Sequence, residues 1–361
     1  MRFLPSLLRI EKDFWVKRFF KEREQGLSMP SISLCMIVKK VDYPFLPTCL
    51  KNVQKEVDEI VMVVDEIDQE ITKISGQFHA KLVEHPFRDF AGQRNVSLQR
   101  ATKDWVLILD ADEILASDDV KSLKKKAENN HAVACTLNQL NYTNDTNQMR
   151  FVPAKNEITQ RFGFQGYFVV PAIRFFKNHM GFRFSRKVHE MVDETIEKKG
   201  LGDRVVKTDI PIHHLKMLKP SVREDELRYL SLLEEEVKEN PKNFKALFDM
   251  GTINLFILKD VKRAVHHFKK ALEINPAFTE VKLNLAFAYG QLKEYEQALT
   301  LYQGVTGKEK NFSLLSNIGT CLFFLGRYEE AVRMYQEAAV LDPERKKEAG
   351  SKIALVRKAM G

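Results

Sequence analysis

Trp105-Val106-Leu107-Ile108-Leu109 runs directly into Asp110-Ala111-Asp112-Glu113, and the reading of the fold turns on this junction. Five consecutive apolar residues with β-branched members fit a fully buried strand of a parallel sheet. Three carboxylates follow within four residues, at the strand end where open α/β sheets bind ligands. Carboxylates so close together repel one another unless a cation or donor groups compensate. A divalent metal bridging to a diphosphate would do so, because Mg²⁺ is usually held by one or two carboxylates plus substrate phosphates. The other reading is a strand followed by an acidic helix cap, with Asp112 or Ser117 opening the next helix.

Upstream of this junction the pattern alternates. Ile32 to Val38 reads as a strand, Phe45 to Val57 as a helix, and Ile60 to Val64 as a second apolar strand ending at Asp65. Ile71 to Phe78 then reads as a short helix, Lys81-Leu82-Val83 as a third strand, and Phe90 to Ala101 as a helix leading into Trp105. Such alternation predicts a parallel sheet covered by helices on both faces. After Asn130, Val133 to Leu140, Phe168 to Phe176, Phe182 to Val188 and Val205 to His213 read as strands with longer, more polar connections, extending the first sheet into a mixed one.

Beyond Pro220 the chain becomes helical and repetitive. Ala264, Ala298 and Ala331 recur at 34 and 33 residues (298−264 and 331−298), each followed four residues later by an aromatic: Phe268, Tyr302 and Tyr335. Ala271 and Ala338 repeat a second small position, and Pro276 and Pro343 close two of the units. Small residues let paired helices approach, aromatics fill the adjoining groove, and proline stops the second helix; a period near 34 with these residues is the signature of tetratricopeptide repeats. The units are Phe244 to Pro276, Glu280 to Lys310 and Ser313 to Pro343, with a leading helix at Arg223 to Pro241 and a polar capping helix at Arg345 to Met360.

The chain of 361 residues is long for one core, so more than one domain is expected. A net charge of +8 suits anionic partners such as a nucleoside diphosphate or a phospholipid surface. Nucleic acid is not expected, because the basic residues are interspersed with acidic ones. Cys35, Cys49, Cys135 and Cys321 are too scattered for a disulfide framework or a zinc pattern and read as reduced thiols of a cytosolic protein. No apolar stretch reaches the ~20 residues needed to span a bilayer. Residues 1–30 carry Phe3, Leu4, Leu7, Leu8, Phe14, Trp15, Phe19 and Phe20 at near-helical spacing among seven Arg/Lys and four Asp/Glu. They read as an amphipathic helical segment, docked on the body of the protein or lying on an anionic membrane.

Taken in order, these motifs resemble a bacterial family 2 glycosyltransferase of the GT-A fold carrying a tetratricopeptide tail. Ser33 to Lys39 is similar to that family's opening strand, and Glu59 to Asp65 to its second. Asp89 to Asn95 resembles the segment before the acidic strand, and Trp105 to Glu113 the D-x-D stretch. Pro171 to Asn178, Lys187-Val188-His189-Glu190 and Ile212-His213 match the later strands. The chain departs from the family where Asp-x-Gly-Ser-x-Asp is usual and this sequence has Asp65-Glu66-Ile67-Asp68-Gln69-Glu70, and again where Lys40-Val41 replaces a common Asn-Glu pair. The implied organisation is an amphipathic segment at 1–30, a GT-A domain at 31–219 (a Rossmann-like mixed sheet with helices on both faces) and an all-α repeat domain at 220–361.

The resemblance implies a metal-dependent, inverting hexosyltransferase. It would use a nucleoside-diphosphate sugar, a UDP-sugar first, with Mn²⁺ or Mg²⁺, and a peptide, protein or cell-envelope glycan as acceptor. Asp112 is then the expected metal ligand with His189 completing the set, and Glu190 the general base, with Glu113 and Asp193 in reserve. Asp65, Asp110, Arg94 and Lys39 are expected on the nucleotide sugar. His213 and His214, adjacent in a strand, point to opposite sides, one lining core or pocket and the other exposed. His266 and His267 read as packing or surface residues of the repeats. Homodimerisation through the repeats and peripheral contact with the inner face of the membrane are further expectations. The rival is a scaffold, its repeats fused to a transferase domain that has lost turnover. A nucleotidyltransferase is a third reading, weakened by the lack of a glycine-rich phosphate loop.

Overall fold

The structure, a computed structural model, describes residues 29–146, 151–219, 223–305 and 310–361. The expected amphipathic segment at 1–30 lies almost wholly outside the described residues. Two compact units divide the chain: one runs through Ser185 and resumes over Glu190–Lys219, and the other comprises Arg186–His189 and everything from Pro220 onward.

The first unit opens with β1 (Ile32–Val38), α1 (Leu46–Val53), β2 (Glu59–Val64), α2 (Gln69–Phe78), β3 (Lys81–Glu84), α3 (Phe90–Arg100) and β4 (Trp105–Ile108). It continues with β5 (Glu113–Ile114), α4 (Ser117–Ala127), β6 (Ala134–Thr143), β7 (Val152–Pro153), α5 (Glu157–Phe162), β8 (Gly166–Lys177), α6 (Asp193–Lys198) and β9 (Val205–His214). The nine strands form one sheet in the order β3-β2-β1-β4-β8-β6-β9-β5, with β7 on β8. β3, β2, β1 and β4 are parallel, and β8 joins β4 antiparallel, so the sheet is mixed as expected.

Period-two alternation along β1 sorts its side chains into two cores. Ile32, Leu34, Met36 and Val38 face α1, α2 and α4 through Leu46, Leu50, Ile71, Val120 and Leu123. Cys35, with Val61, Val106 and Ile108, faces α3 and α6 through Ala91, Leu98, Val192 and Ile196. Helices therefore cover both faces, which is why the parallel strands read as near-continuous apolar runs. Ser117, not Asp112, opens α4.

The strand expected over Phe182 to Val188 does not form. Phe182 and Phe184 turn edge-on to Phe176, at centroid distances of 6.2 and 6.1 Å, and bury themselves beneath the sheet. Only an isolated bridge between Ser185 and Met191 remains. Arg186 and His189 have φ of 72° and 51°, left-handed values that an extended strand excludes.

Glu59 fastens the amino-terminal edge of the parallel strands. It accepts hydrogen bonds from Ser33 Oγ at 2.5 Å, from the Thr102 amide and hydroxyl at 2.7 and 3.0 Å, and from Lys81. Burial opposes its charge, but these donors outweigh burial and bring its pKa from 4.5 down to about 2. A depressed carboxyl contributes stability above its unfolded pKa and loses it as pH falls through the folded one. Glu59→Gln is therefore expected to cost about 1–2 kcal/mol at neutral pH, allowing for the solvent-exposed lysine partner. Urea titrations from pH 7 to pH 3 should show the gap to wild type closing with acid; a gap independent of pH would contradict this role.

The second unit is helical: α7 (Arg223–Glu239), α8 (Phe244–Thr252) continuing into a π-helical turn at Ile253–Ile257, α9 (Val261–Ile274), α10 (Thr279–Gln291), α11 (Tyr295–Gln303), α12 (Phe312–Phe324), α13 (Tyr328–Leu341) and α14 (Lys346–Met360). Asn243, Asp260 and Asn311 cap α8, α9 and α12 through their side chains. Ala264, Ala298 and Ala331 are fully buried, as are Phe268, Tyr302 and Tyr335 to within a few per cent. A Cβ on Gly251 would collide with the Phe268 ring, and one on Gly319 would meet Tyr335 at 2.9 Å. The two glycines lie 68 residues apart (319−251), twice the repeat period, so the same close approach recurs.

Candidate active site

β4 ends at Ile108 and delivers Asp110, Ala111 and Asp112 to the carboxyl edge of the sheet. The turn is held from within. Glu113, wholly buried, accepts from the Asp110 amide at 2.8 Å and from Arg174 Nη2 at 3.1 Å, and Gln139 also donates to it. Held by these three protein donors, Glu113 braces the turn from inside. Asp193, the other reserve, opens α6.

Arg94 on α3 reaches beneath this turn. Its Nη2 is paired with Asp110 and its Nε lies 3.1 Å from Glu190 Oε1. The guanidinium is nearly inaccessible and was expected to contact the nucleotide sugar; it joins two other expected site residues into one cluster. Burial works against its charge, but Asp110 and Glu190 together hold it firmly protonated. Asp110 is half-buried, and although desolvation opposes its charge, Arg94 with Arg174 (3.7 Å from Oδ2) more than offsets that, keeping its carboxyl well below the usual range.

Asp112 faces a different set. Its backbone carbonyl accepts from the Leu215 amide at 2.9 Å because β5 returns antiparallel to β9, with Glu113 opposite His214. That register sets His214 Nε2 3.3 Å from Asp112 Oδ2. On the neighbouring strand, Asn141 pairs with His214 in register and its Oδ1 accepts from the imidazole Nδ1 at 2.7 Å. Lys219 Nζ lies 3.1 Å from Asp112 Oδ1 and 2.6 Å from Asp42 Oδ1. Burial opposes the Asp112 charge, but His214 and Lys219 outweigh it and lower its pKa. For the imidazole, too, burial disfavours the charge, yet the Asp112 hydrogen bond and the carboxylates of Glu113 and Asp110 raise its pKa.

His189 is placed elsewhere. Its Nε2 lies 2.8 Å from Asp249 Oδ2 and 3.1 Å from the Tyr229 hydroxyl, within the second unit. Within the first unit the imidazole that meets Asp112 belongs to His214, while residues 186–189, with left-handed backbone at Arg186 and His189, group with the helical unit. Asp65, at the exposed end of β2, accepts from Gln93 Nε2 at 3.1 Å. Lys39, just past β1, sits 5.7 and 5.3 Å from the centroids of Phe87 and Phe90. Asp68 caps α2 by accepting from the Ile71 amide at 2.9 Å, which gives the altered segment after Asp65 a structural task.

No group of three or more His, Cys, Asp or Glu side chains among the described residues forms a metal cage. Asp112 and His214 still fit a divalent cation bound partly by substrate. Asp112 Oδ1 is buried without an aligned hydrogen bond, and because Nδ1 is bound to Asn141, Nε2 is the ring nitrogen beside the carboxylate, where loss of its proton to an incoming cation would free a lone pair for the metal. Lys219, Asp42 and Arg174 escaped the sequence reading, and His214 entered it only as one of two adjacent strand histidines, one of them lining core or pocket. For His214 the signal was its place at the end of a strand; for Lys219 and Asp42, far apart in the chain, there was none.

Residues 33–191 match the family described as glycosyl transferase family 2, and residues 255–318 and 312–345 match tetratricopeptide repeats. A TPR repeat-containing protein of Synechococcus elongatus is 30% identical over 172 residues, which is 47% of this chain and 38% of that protein. An uncharacterized glycosyltransferase of Rickettsia felis is 28% identical over 82 residues, 23% of this chain and 29% of that one. The chain thus spans between about a quarter and two fifths of the length of such curated relatives. Among solved structures, MamA 41-end from Desulfovibrio magneticus RS-1 is 20% identical with a TM-score of 0.33, over 38% of this chain and 86% of that one, a likeness too slight to build on. Residues 33–191 are therefore a glycosyl transferase family 2 domain, and tetratricopeptide repeats follow it.

Proposed function

We propose that the protein is a metal-dependent, inverting glycosyltransferase that moves a hexose from a nucleoside-diphosphate donor, UDP-linked first, to a peptide, protein or cell-envelope glycan. The observation that carries this reading is the buried Asp112 carboxylate beside His214 at the carboxyl edge of the sheet, two residues past the Asp110 of the Arg94–Asp110–Glu190 cluster. Asp112 and His214 would hold Mn²⁺ or Mg²⁺, which when bound supplies the positive charge that stabilises a departing diphosphate. Asp65 accepts from the nucleoside, steadied by Gln93, and Lys39 with the Phe87 and Phe90 rings lines the same edge. Asp110 orients the ribose or the donor sugar while Arg94 keeps it ionised.

Glu190 takes the proton from the acceptor nucleophile as that group attacks the anomeric carbon opposite the leaving diphosphate. Attack from that side inverts the centre in one displacement, so no covalent sugar–enzyme intermediate is required. Arg94 holds Glu190 in place through Nε. Acceptor capture falls to the repeats. Phe256, Phe287 and Phe324 remain 41%, 38% and 55% exposed there, an apolar surface suited to a peptide or to a second copy of the chain. Among the described residues no helix is long and apolar enough to cross a membrane. A cytoplasmic setting, with peripheral contact at the inner face of the membrane, is part of the proposal.

The test is release of nucleoside diphosphate by the full chain from a panel of UDP-, GDP- and dTDP-sugars with Mn²⁺ or Mg²⁺. Turnover of one donor that stops with EDTA and returns with Mn²⁺ is expected. Failure to consume any donor with either cation, with or without peptide and glycan acceptors, would sink the reading.

A further inference from the structure

Lys219 occupies an unusual place. Its ammonium lies 2.6 Å from Asp42 Oδ1 and 3.1 Å from Asp112 Oδ1, and both carboxylates are almost inaccessible, with side-chain exposures of 8% and 2%. The remaining oxygen of each has its own partner: Asp42 Oδ2 accepts from the Lys39 amide at 2.8 Å, and Asp112 Oδ2 faces His214. Lys219 is therefore the charge that lets two buried carboxylates stand side by side. It touches the same Asp112 oxygen that lacks an aligned hydrogen bond. An ammonium and a divalent cation cannot share that oxygen, because positive charges so close repel strongly where water is scarce. The lysine side chain is 22% exposed, so it has a way out toward solvent.

We propose that Lys219 is a resident counter-ion of the Asp42–Asp112 pair, which a divalent cation must displace before the site can bind a diphosphate. The inference rests on the reading of Asp112 as a cation ligand. In the cation-free protein Lys219 prevents the repulsion that would otherwise loosen the turn after β4. On cation uptake it leaves that position, and its charge becomes available to the phosphates the metal brings. Lys219 is also the last residue of the first unit before the chain enters the repeats.

Calorimetric titration of Mn²⁺ into the full chain tests this, alone and with UDP, for wild type, Lys219→Met and Lys219→Arg. Removing the charge should tighten Mn²⁺ binding about tenfold or more while lowering the unfolding temperature of the metal-free protein. Lys219→Arg, which keeps the charge, should bind Mn²⁺ no more tightly than wild type. If Lys219→Met does not fold, Lys219→Gln, which retains a donor for both carboxylates, carries the same expectation. Neutral variants that bind Mn²⁺ no tighter than wild type overturn the proposal and leave the metal reading intact. If no protein in the series takes up Mn²⁺, the reading of Asp112 falls, and the role of Lys219 with it.

Discussion

Arg94→Met is expected to destabilise the first unit by about 3–5 kcal/mol, the usual cost of removing one partner from a buried ion cluster. The guanidinium is the shared cation of Asp110 and Glu190, and its loss leaves Glu190 without the partner at 3.1 Å. Asp110 retains Arg174, at 3.7 Å, and the weaker influence of His214. Methionine matches much of the aliphatic stem, so the loss reports on charge and not on a cavity. Arg94→Lys should fall between, because a single ammonium cannot present Nε and Nη2 to two carboxylates at once. The check is the unfolding temperature of the full chain, which should drop by on the order of 10 °C for the methionine variant. A drop within a degree or two would mean that solvent or Arg174 already compensates both acids, and that the cluster is not the keystone of this edge.

Glu190→Gln is expected to lower turnover by about 10²–10⁴-fold, the range a general base contributes, while leaving donor binding intact. Glutamine still offers an oxygen to Arg94 Nε, so the cluster keeps its geometry and loses only the ability to take a proton. Stability should change little, and stabilisation by Mn²⁺ with UDP should match wild type. A kcat within a factor of a few of wild type would remove Glu190 from the proton transfer. Loss of donor binding together with turnover would instead mark it as a positioning residue for Arg94.

The junction at Trp105 to Glu113 was legible because a buried parallel strand leaves no room for polar residues until it ends. The ligand edge therefore announces itself as an abrupt run of carboxylates. The repeats were legible for a related reason: a helix pair packed against an aromatic every 34 residues tolerates only alanine or glycine at the contact, as the positions of Ala264, Ala331 and Gly251 show. The cation partner was not. His213 and His214 were read as pointing to opposite sides, one of them exposed; they do take different partners, but neither is exposed. His213 Nδ1 pairs with the Tyr142 hydroxyl at 2.8 Å and His214 turns to Asp112.

Which of the two histidines meets the acids depends on the pairing of β5 with β9. That pairing brings together residues about 100 positions apart (214−113) and leaves no local trace. The same holds for Lys219, whose two partners come from the turn after β1 and the end of β4. Phe182 to Val188 misled in the opposite direction. Its aromatic alternation fits a strand, but Phe182 and Phe184 are spent on packing beneath Phe176, and the left-handed residues at 186 and 189 then carry the chain away. Tertiary packing overrode a local pattern that had no glycine or proline to warn of it.

The most direct test of the central claim, that the acidic end of β4 holds a cation together with a nucleoside diphosphate, is thermal unfolding of wild type and Asp112→Ala with Mn²⁺ and UDP present. Ligand that binds only the folded state at a hundred times its Kd adds about 2.7 kcal/mol. Wild type should therefore show a clear rise in unfolding temperature that needs both Mn²⁺ and UDP, and Asp112→Ala should show none. No rise in wild type, or an equal rise in both proteins, would contradict the account.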